Sequence, residues 1–457
     1  MTTALAGWPA VASAVAATLA AVVLVALVRR MANRFVVPRP YALMPEFEIV
    51  AVREGGPAGA ASGPAEGAAH GSGPPLSGPP LSGPLLSGPP AGGAPARLTV
   101  VLPAPPHDAP QHAKTRVTGA YGLVWEGGHG VLGEVLTDDG ARVERPLTVI
   151  DGAPPRPGAP ARMDAFYYRR DPLRDHGVEF EDLRLQGPVG GLAAWFVPAD
   201  GRTGVLLLHG RRRGERREAL RALPSLHAMG MPVLVLSYRN HDASDPSPDG
   251  LYHYGASEWQ DALVGASALA ERGVTRIVVF GISMGGAVAL EAKRRWPPEL
   301  PPLVALVLEA PLVDPAAAVR LALGRAGVPF AAWAARAVIR AARRRTGVDF
   351  AALRQARHAD EIDVPVMLMA GTADTTVPID AIDRFAERIR APLVYRRLDG
   401  VEHVEAWNAE PAAYDASLRA FLTGVTTGVD GEDDGDGDAA ERSPDRLGRG
   451  LSARRSA

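Results

Sequence analysis

The stretch Arg276-Ile277-Val278-Val279-Phe280-Gly281-Ile282-Ser283-Met284-Gly285-Gly286-Ala287-Val288-Ala289-Leu290-Glu291-Ala292-Lys293-Arg294 decides how this chain is read. It opens on an unbroken apolar run, turns at a serine between glycines, and continues into residues that favour a helix. Strand, sharp turn and helix around Gly-x-Ser-x-Gly is the setting of a nucleophile elbow. Such a turn lifts the serine hydroxyl off the carboxyl edge of a sheet, where a base and an acyl carbon can reach it. The glycines fit because side chains so close to the turn would meet the neighbouring strand and helix. Without the flanking elements, the same pentapeptide would be only a glycine-rich loop that holds a serine.

A serine nucleophile needs a base, an orienting acid and an oxyanion hole. In open α/β sheets these lie past the carboxyl ends of other strands. Asp374 follows the apolar run Val366-Met367-Leu368-Met369, inside Ala370-Gly371-Thr372-Ala373-Asp374. His403 follows Leu393-Val394-Tyr395-Arg396, inside Leu398-Asp399-Gly400-Val401-Glu402-His403. Asp374 would fix the imidazole tautomer, and His403 would take the proton of Ser283. Asp374 could instead be a simple turn former, in which case Glu309, at the end of its own strand, is the reserve acid. The Met284 N–H, free at a helix start, is one expected oxyanion donor. Arg211, after the strand Gly204 to Leu208 and His209-Gly210, is expected to supply the other. His209 itself reads as a packing and loop-shaping residue.

The apolar runs around these positions define the domain. Ala193 to Val197, Gly204 to Leu208, Pro232 to Leu236, Ile277 to Phe280, Leu303 to Leu308 and Val366 to Met369 alternate with helical segments. That pattern predicts a mostly parallel sheet with helices on both faces, over residues 178–424. Residues 425–457 are acidic and glycine-rich, then basic, and are expected to be a disordered tail.

At 457 residues the chain is too long for one compact core. Residues 1–30 read as an N-terminal transmembrane anchor. Ala4 to Val28 carries no charge and is long enough for the roughly 30 Å hydrocarbon layer. Arg29, Arg30, Arg34 and Arg39 follow it, and no basic residue precedes it, the reverse of a cleavable signal. Arginine excess marks the cytoplasmic side, so a single-pass protein of the cell membrane with a cytoplasmic catalytic domain is expected. An exported orientation is the rival. Residues 31–177 read as a small β-rich unit, with a disordered Pro/Gly/Ser insert at 55–95 in which Leu-Ser-Gly-Pro-Pro recurs. Tyr121 to Glu126 and Val131 to Leu136 read as a hairpin, and Asp138-Asp139-Gly140 as the next turn. Support of the catalytic domain is the role expected of this unit.

A net charge of −2 and the lack of any recognition motif argue against nucleic acid as a partner. The chain has no cysteine, which removes disulfides, thiolate metal sites and a cysteine nucleophile. No metal-ligand spacing, P-loop or dinucleotide fingerprint occurs, so no cofactor is expected.

With Leu208-His209-Gly210, Gly281 to Gly286, Gly371 to Pro378 and Gly400-x-x-His403 in this order, residues 178–424 resemble the α/β-hydrolase superfamily, among its serine hydrolases. Leu236 to Asn240, Gly255 to Asp261 and Glu405-Ala406-Trp407-Asn408 are similar to an esterase- and peptidase-like branch. The resemblance implies a lid inserted after the sixth strand, about residues 315–360. There Ala331, Ala335, Val338 and Ala342 fall on one helical face and Arg336, Arg340, Arg343 and Arg344 on another. The arginine face is either solvated or set against anionic lipid. The implied activity is a membrane-anchored serine hydrolase acting through Ser283, His403 and Asp374 on an ester, thioester or peptide-like acyl bond, with an acyl-enzyme intermediate. A small-molecule or lipid-like acyl substrate is expected, and carboxylesterase action is preferred to aminopeptidase or acyl-peptide chemistry. A catalytically idle hydrolase fold used for binding is the alternative of another class.

Overall fold

The computed structural model of the chain describes residues 22–23, 25–38, 44–54, 97–104, 113–211 and 215–430. Helix α1 covers residues 25–36. An antiparallel sheet follows, built from β1 (Phe47–Glu48), β2 (Ala51–Glu54), β3 (Arg97–Pro103), β4 (Tyr121–Trp125), β5 (Gly128–Leu132), β6 (Thr137–Asp138), β7 (Arg142–Gly152) and β8 (Pro160–Asp164). Its order is β1-β8-β4-β5-β7-β3-β2, with β6 on the side of β7. The expected hairpin is β4–β5. Trp125 pairs with Gly128, so its tight loop is Glu126-Gly127, one residue earlier than the paired glycines suggest. Gly127 takes φ +79°, which a glycine adopts without strain. At the next turn Asp139 accepts the N–H groups of Ala141 and Arg142, an Asx-type closure. One face of this sheet buries Ile49, Val100, Leu102, Leu123, Trp125 and Leu147 in a core of its own.

The short helix α2 (Pro172–His176) leads into a second sheet. Its strands are β9 (Glu181–Gln186), β10 (Gly191–Val197), β11 (Thr203–Leu208), β12 (Val233–Leu236), β13 (Arg276–Ile282), β14 (Leu303–Glu309), β15 (Val366–Gly371) and β16 (Leu393–Leu398). The order is β16-β15-β14-β13-β11-β12-β10-β9. All pairs from β12 to β16 are parallel, whereas β10 runs antiparallel to both β12 and β9. The apolar run of β10 looks like its parallel neighbours because burial on both faces, not direction, sets that composition.

Successive residues of these strands enter opposite cores. Leu206, Leu208, Leu234, Leu236 and Val279 face α4 (Trp259–Ala270) and α5 (Met284–Lys293). Val205, Leu207, Val233, Val235 and Phe280 face α3 (Leu223–Ala228) and the C-terminal helix. The insertion after β14 holds α6 (Pro315–Arg325) and α7 (Ala331–Thr346), and α8 (Ile379–Ala386) follows β15. After β16 come α9 (Ala406–Ala409) and α10 (Pro411–Asp430).

Two expected boundaries need revision. The helix at the N-terminus does not end at residue 30 and give way to the β-rich unit. It continues to residue 36, and Ala32 and Val36 enter the hydrolase core, because their spacing of four places them on one face. Most of the expected anchor, residues 1–21, and the insert at 55–95 lie outside the described residues. Among the described residues no helix is long and apolar enough to cross a membrane. The C-terminal helix runs to Asp430 rather than giving way to a tail at 425, since Val425 still packs on the core one turn past Leu422. Residues 431–457 lie outside the described residues.

Candidate active site

The turn between β13 and α5 sets Ser283 at φ +51° and ψ −110°. Such a conformation costs of order 1–3 kcal/mol and persists only where the surroundings over-determine it. Here a Cβ on Gly281 would lie 2.6 Å from the Gly286 Cα, and one on Gly285 would run into the Leu208 carbonyl. The Ser283 N–H donates to the Glu309 carbonyl at 2.9 Å, and its own carbonyl accepts from Leu312 N–H at 2.9 Å.

Two loops from neighbouring strands meet the serine. His403 Nε2 lies 2.9 Å from Ser283 Oγ, and its Nδ1 lies 2.7 Å from Asp374 Oδ2. Asp374 Oδ1 accepts the N–H groups of Thr376 and Val377, both at 2.7 Å. That leaves only Oδ2 to face the imidazole, so Nδ1 is the ring nitrogen that donates and Nε2 faces the hydroxyl. The Asp374 side chain is fully buried, where a carboxylate must be hydrogen-bonded to stay charged. Glu402 steadies the same loop, its carboxylate accepting from Thr375 Oγ1 at 3.0 Å and from the His403 N–H at 3.0 Å.

Met284 is the first residue of α5, so its N–H has no intrahelical acceptor. Gly210 stands beside the serine, and a Cβ on it would be 3.4 Å from Ser283 Cβ. Arg211 follows it directly, which places its backbone at the same edge. The Arg211 side chain turns away, donating to Tyr254 Oη at 2.7 Å and to the Phe35 carbonyl of α1 at 2.8 Å. Phe35 stacks on Tyr254 with ring centroids 4.3 Å apart. His209 is fully buried and stacks on Tyr238, and burial holds its imidazole neutral. Glu309 accepts from Tyr414 Oη at 3.2 Å and lies 3.9 Å from Arg221, so it serves a buried network beneath the site and does not contact His403.

Several residues at the site carry no signal in the sequence. Glu218, on a 3-10 turn at Glu215–Arg221, accepts the Gly210 N–H at 2.5 Å. Burial pushes its carboxyl up to about 7, against the opposing pull of that N–H and of Arg221. Arg221 donates to the Val404 carbonyl at 2.6 Å and to Asn408 Oδ1 at 3.2 Å. Neither residue belongs to a motif; only the folded chain brings them under the loops. Among the described residues no cluster of His, Asp and Glu could hold a metal ion.

A largely parallel sheet with a serine on the sharp turn after a central strand, and an imidazole and a carboxylate from later loops converging on it, defines the hydrolase class of α/β fold. The chain belongs to the alpha/beta hydrolase family, whose model matches residues 205–451. Residues 108–164 match a second model, described as a domain of unknown function. An uncharacterized protein of Mycobacterium tuberculosis is 27% identical over 286 residues, 61% of this chain and 87% of that protein. A solved esterase of Pyrococcus furiosus is similar at 21% identity and a TM-score of 0.45, covering 56% of this chain and 95% of its own. A solved serine hydrolase of a polyaromatic-hydrocarbon-degrading Cycloclasticus is similar at 18% identity and a TM-score of 0.42, covering 54% and 99%.

Proposed function

We propose that this chain is a membrane-attached serine hydrolase that cleaves an ester or related acyl bond. The observation that carries the reading is the single imidazole within hydrogen-bond reach of both Ser283 and Asp374. Ser283 Oγ attacks the acyl carbon while its proton passes to His403 Nε2. Asp374 stabilises the resulting imidazolium, and the N–H groups of Met284 and Arg211 donate to the oxyanion. Collapse breaks the bond to the leaving group, which takes the proton from His403. Water then attacks the acyl-enzyme, one proton going to His403, and the carboxylic acid leaves as Ser283 Oγ recovers that proton, the acid then ionising in solvent. A fluorophosphonate probe should label the full chain and spare Ser283→Ala, whose turnover of p-nitrophenyl butyrate should fall by at least about 10⁴-fold. Equal labelling of both proteins would leave only a non-catalytic binding role.

Attachment to the membrane is supported by two surfaces. The N-terminal helix exposes Val22, Val23 and Val25 before the exposed Arg29 and Arg30, an order that supports a cytoplasmic hydrolase unit. Protease added outside intact cells should then leave that unit uncut. In α7, Ala334, Ala335, Val338 and Ala342 are buried, while Trp333, Arg336, Arg340 and Arg344 share the outer face. Those three arginines have no carboxylate partner among the described residues. Phe330, just before the helix, is 86% exposed at φ +54°, a conformation costly for a bulky residue. Aromatic rings beside unpaired arginines suit an anionic bilayer surface. Arg336, Arg340 and Arg344 changed together to Gln should weaken binding to vesicles containing phosphatidylglycerol and leave phosphatidylcholine vesicles unaffected. Unchanged binding to both would refute the contact.

A further inference from the structure

The antiparallel N-terminal sheet contributes no atom to the Ser283–His403–Asp374 array, yet it closes on the loop that carries His403. The Ala120 N–H donates to the Asn408 carbonyl at 2.8 Å. Asn408 Nδ2 donates back to the carbonyls of Ala120 at 2.6 Å and Ala165 at 2.8 Å. Tyr121 Oη donates to Glu405 Oε2 at 3.0 Å, and Lys114 Nζ pairs with Glu405 Oε1 at 2.9 Å. Burial and the neighbouring Glu405 carboxylate push the Tyr121 phenol far up, so it remains the donor. Gly119 sits at φ +111°, and a Cβ there would run into the Asn408 carbonyl.

These contacts grip the loop on one side of a strained residue. Val404, directly after His403, is held at φ +59°, a left-handed conformation that a β-branched side chain resists. Arg221 holds the Val404 carbonyl from the hydrolase side. Glu405, two residues from His403, is held from the β-sheet side by Lys114 and Tyr121. Glu405 and Asn408 are both buried, where polar contacts are stiff and an unmatched partner is costly. Released on one side, Val404 would relax towards an extended backbone and carry the imidazole with it.

We propose that the N-terminal β-domain is a positioning element of the hydrolytic site, with Lys114 and Tyr121 acting through Glu405 to hold His403 Nε2 on Ser283 Oγ. The inference rests on the reading of these two residues as base and nucleophile, and it gives the segment 108–164 a task in the reaction. Residues 108–112 lie outside the described residues, so the grip is assigned to 113–165.

The test uses the full chain in detergent, with Tyr121→Phe, Lys114→Ala and the double variant, each checked for unchanged thermal unfolding. Three readouts are taken: the rate of fluorophosphonate labelling, kcat and KM for p-nitrophenyl butyrate, and hydrogen exchange over residues 399–409. In the double variant, labelling and kcat should fall about ten- to a hundredfold, the scale of a displacement near 1 Å, with KM within about twofold. Exchange over 399–409 should quicken. Adding Val404→Asn, a residue that tolerates φ > 0, should restore part of the loss, which a merely structural interface would not do. Wild-type labelling rates in the double variant, or a loss confined to KM, would overturn the proposal. Should the wild type itself fail to label, the hydrolase reading falls, and hydrogen exchange alone decides the grip: faster exchange supports it and unchanged exchange overturns it.

Discussion

Ser283 and Val404 are both held at positive φ, +51° and +59°, one on the serine itself and one beside the histidine. They are held by different means. Around Ser283 most of the restraint comes from its flanking elements: β13 arrives, α5 departs, and Gly281 and Gly285 let the backbone pass where a Cβ would collide with Gly286 and with the Leu208 carbonyl of the adjacent strand. Around Val404 the restraint is imported, from Arg221, Lys114, Tyr121 and Ala120, which are remote in the sequence. One strained residue is encoded by a pentapeptide. The other is encoded by the docking of a second domain. The placement of Ser283 is therefore largely a property of the local chain, and that of His403 a property of the assembled molecule.

That contrast can be broken at its local end first. Gly285→Ala drives a methyl into the Leu208 carbonyl and should cost about 3 kcal/mol or more, with loss of labelling. Urea unfolding followed by tryptophan fluorescence measures the cost. Tyr121→Phe, by contrast, should slow labelling with little change in the unfolding midpoint. If Gly285→Ala proves as mild in stability as Tyr121→Phe, the elbow is not the rigid end of the comparison.

A smaller effect sharpens the tertiary end. The folded-state value for Glu218, about 7, lies above the ordinary 4.5. Between those values the folded chain keeps a proton that the unfolded chain has released. Stability therefore falls as pH rises through that window, by up to about 1.4 kcal/mol per unit. Glu218→Gln keeps an acceptor for the Gly210 N–H and should flatten this slope, seen as urea midpoints that converge between about pH 5 and about pH 8. The buried histidines give a background of opposite sign. His129 and His241 are held down to about 3 and about 4, so they cost stability as pH falls below 6.5, in both proteins alike. An unchanged slope in the variant would remove Glu218 from the account.

Much of this site was legible because its chemistry sits on local signals. The serine lies in a pentapeptide between a strand and a helix, Asp374 follows an apolar run that is a buried strand, and His403 follows the half-buried edge strand β16. Met284 follows from the serine by adjacency. Glu218 and Arg221, and the contact of Tyr121 with Glu405, were not legible, because a charged or phenolic residue on a short turn or strand looks the same whether it faces water or a neighbouring domain. The reversed direction of β10 was hidden for a related reason: its composition reports burial on both faces and says nothing about polarity. Past Gly424, α10 carries Val425 on the core, a packing that composition alone did not signal.

The sequence by itself determined the family of fold and set a serine, a histidine and a choice of two carboxylates at the ends of strands, since each rests on periodicity and on the residues that interrupt it. Only the tertiary structure decided which carboxylate faces His403, where the N-terminal helix lands and what the β-domain grips. Those outcomes depend on hydrogen bonds between groups far apart along the chain. Their geometry exists only once both sheets have formed and the water between them has been expelled.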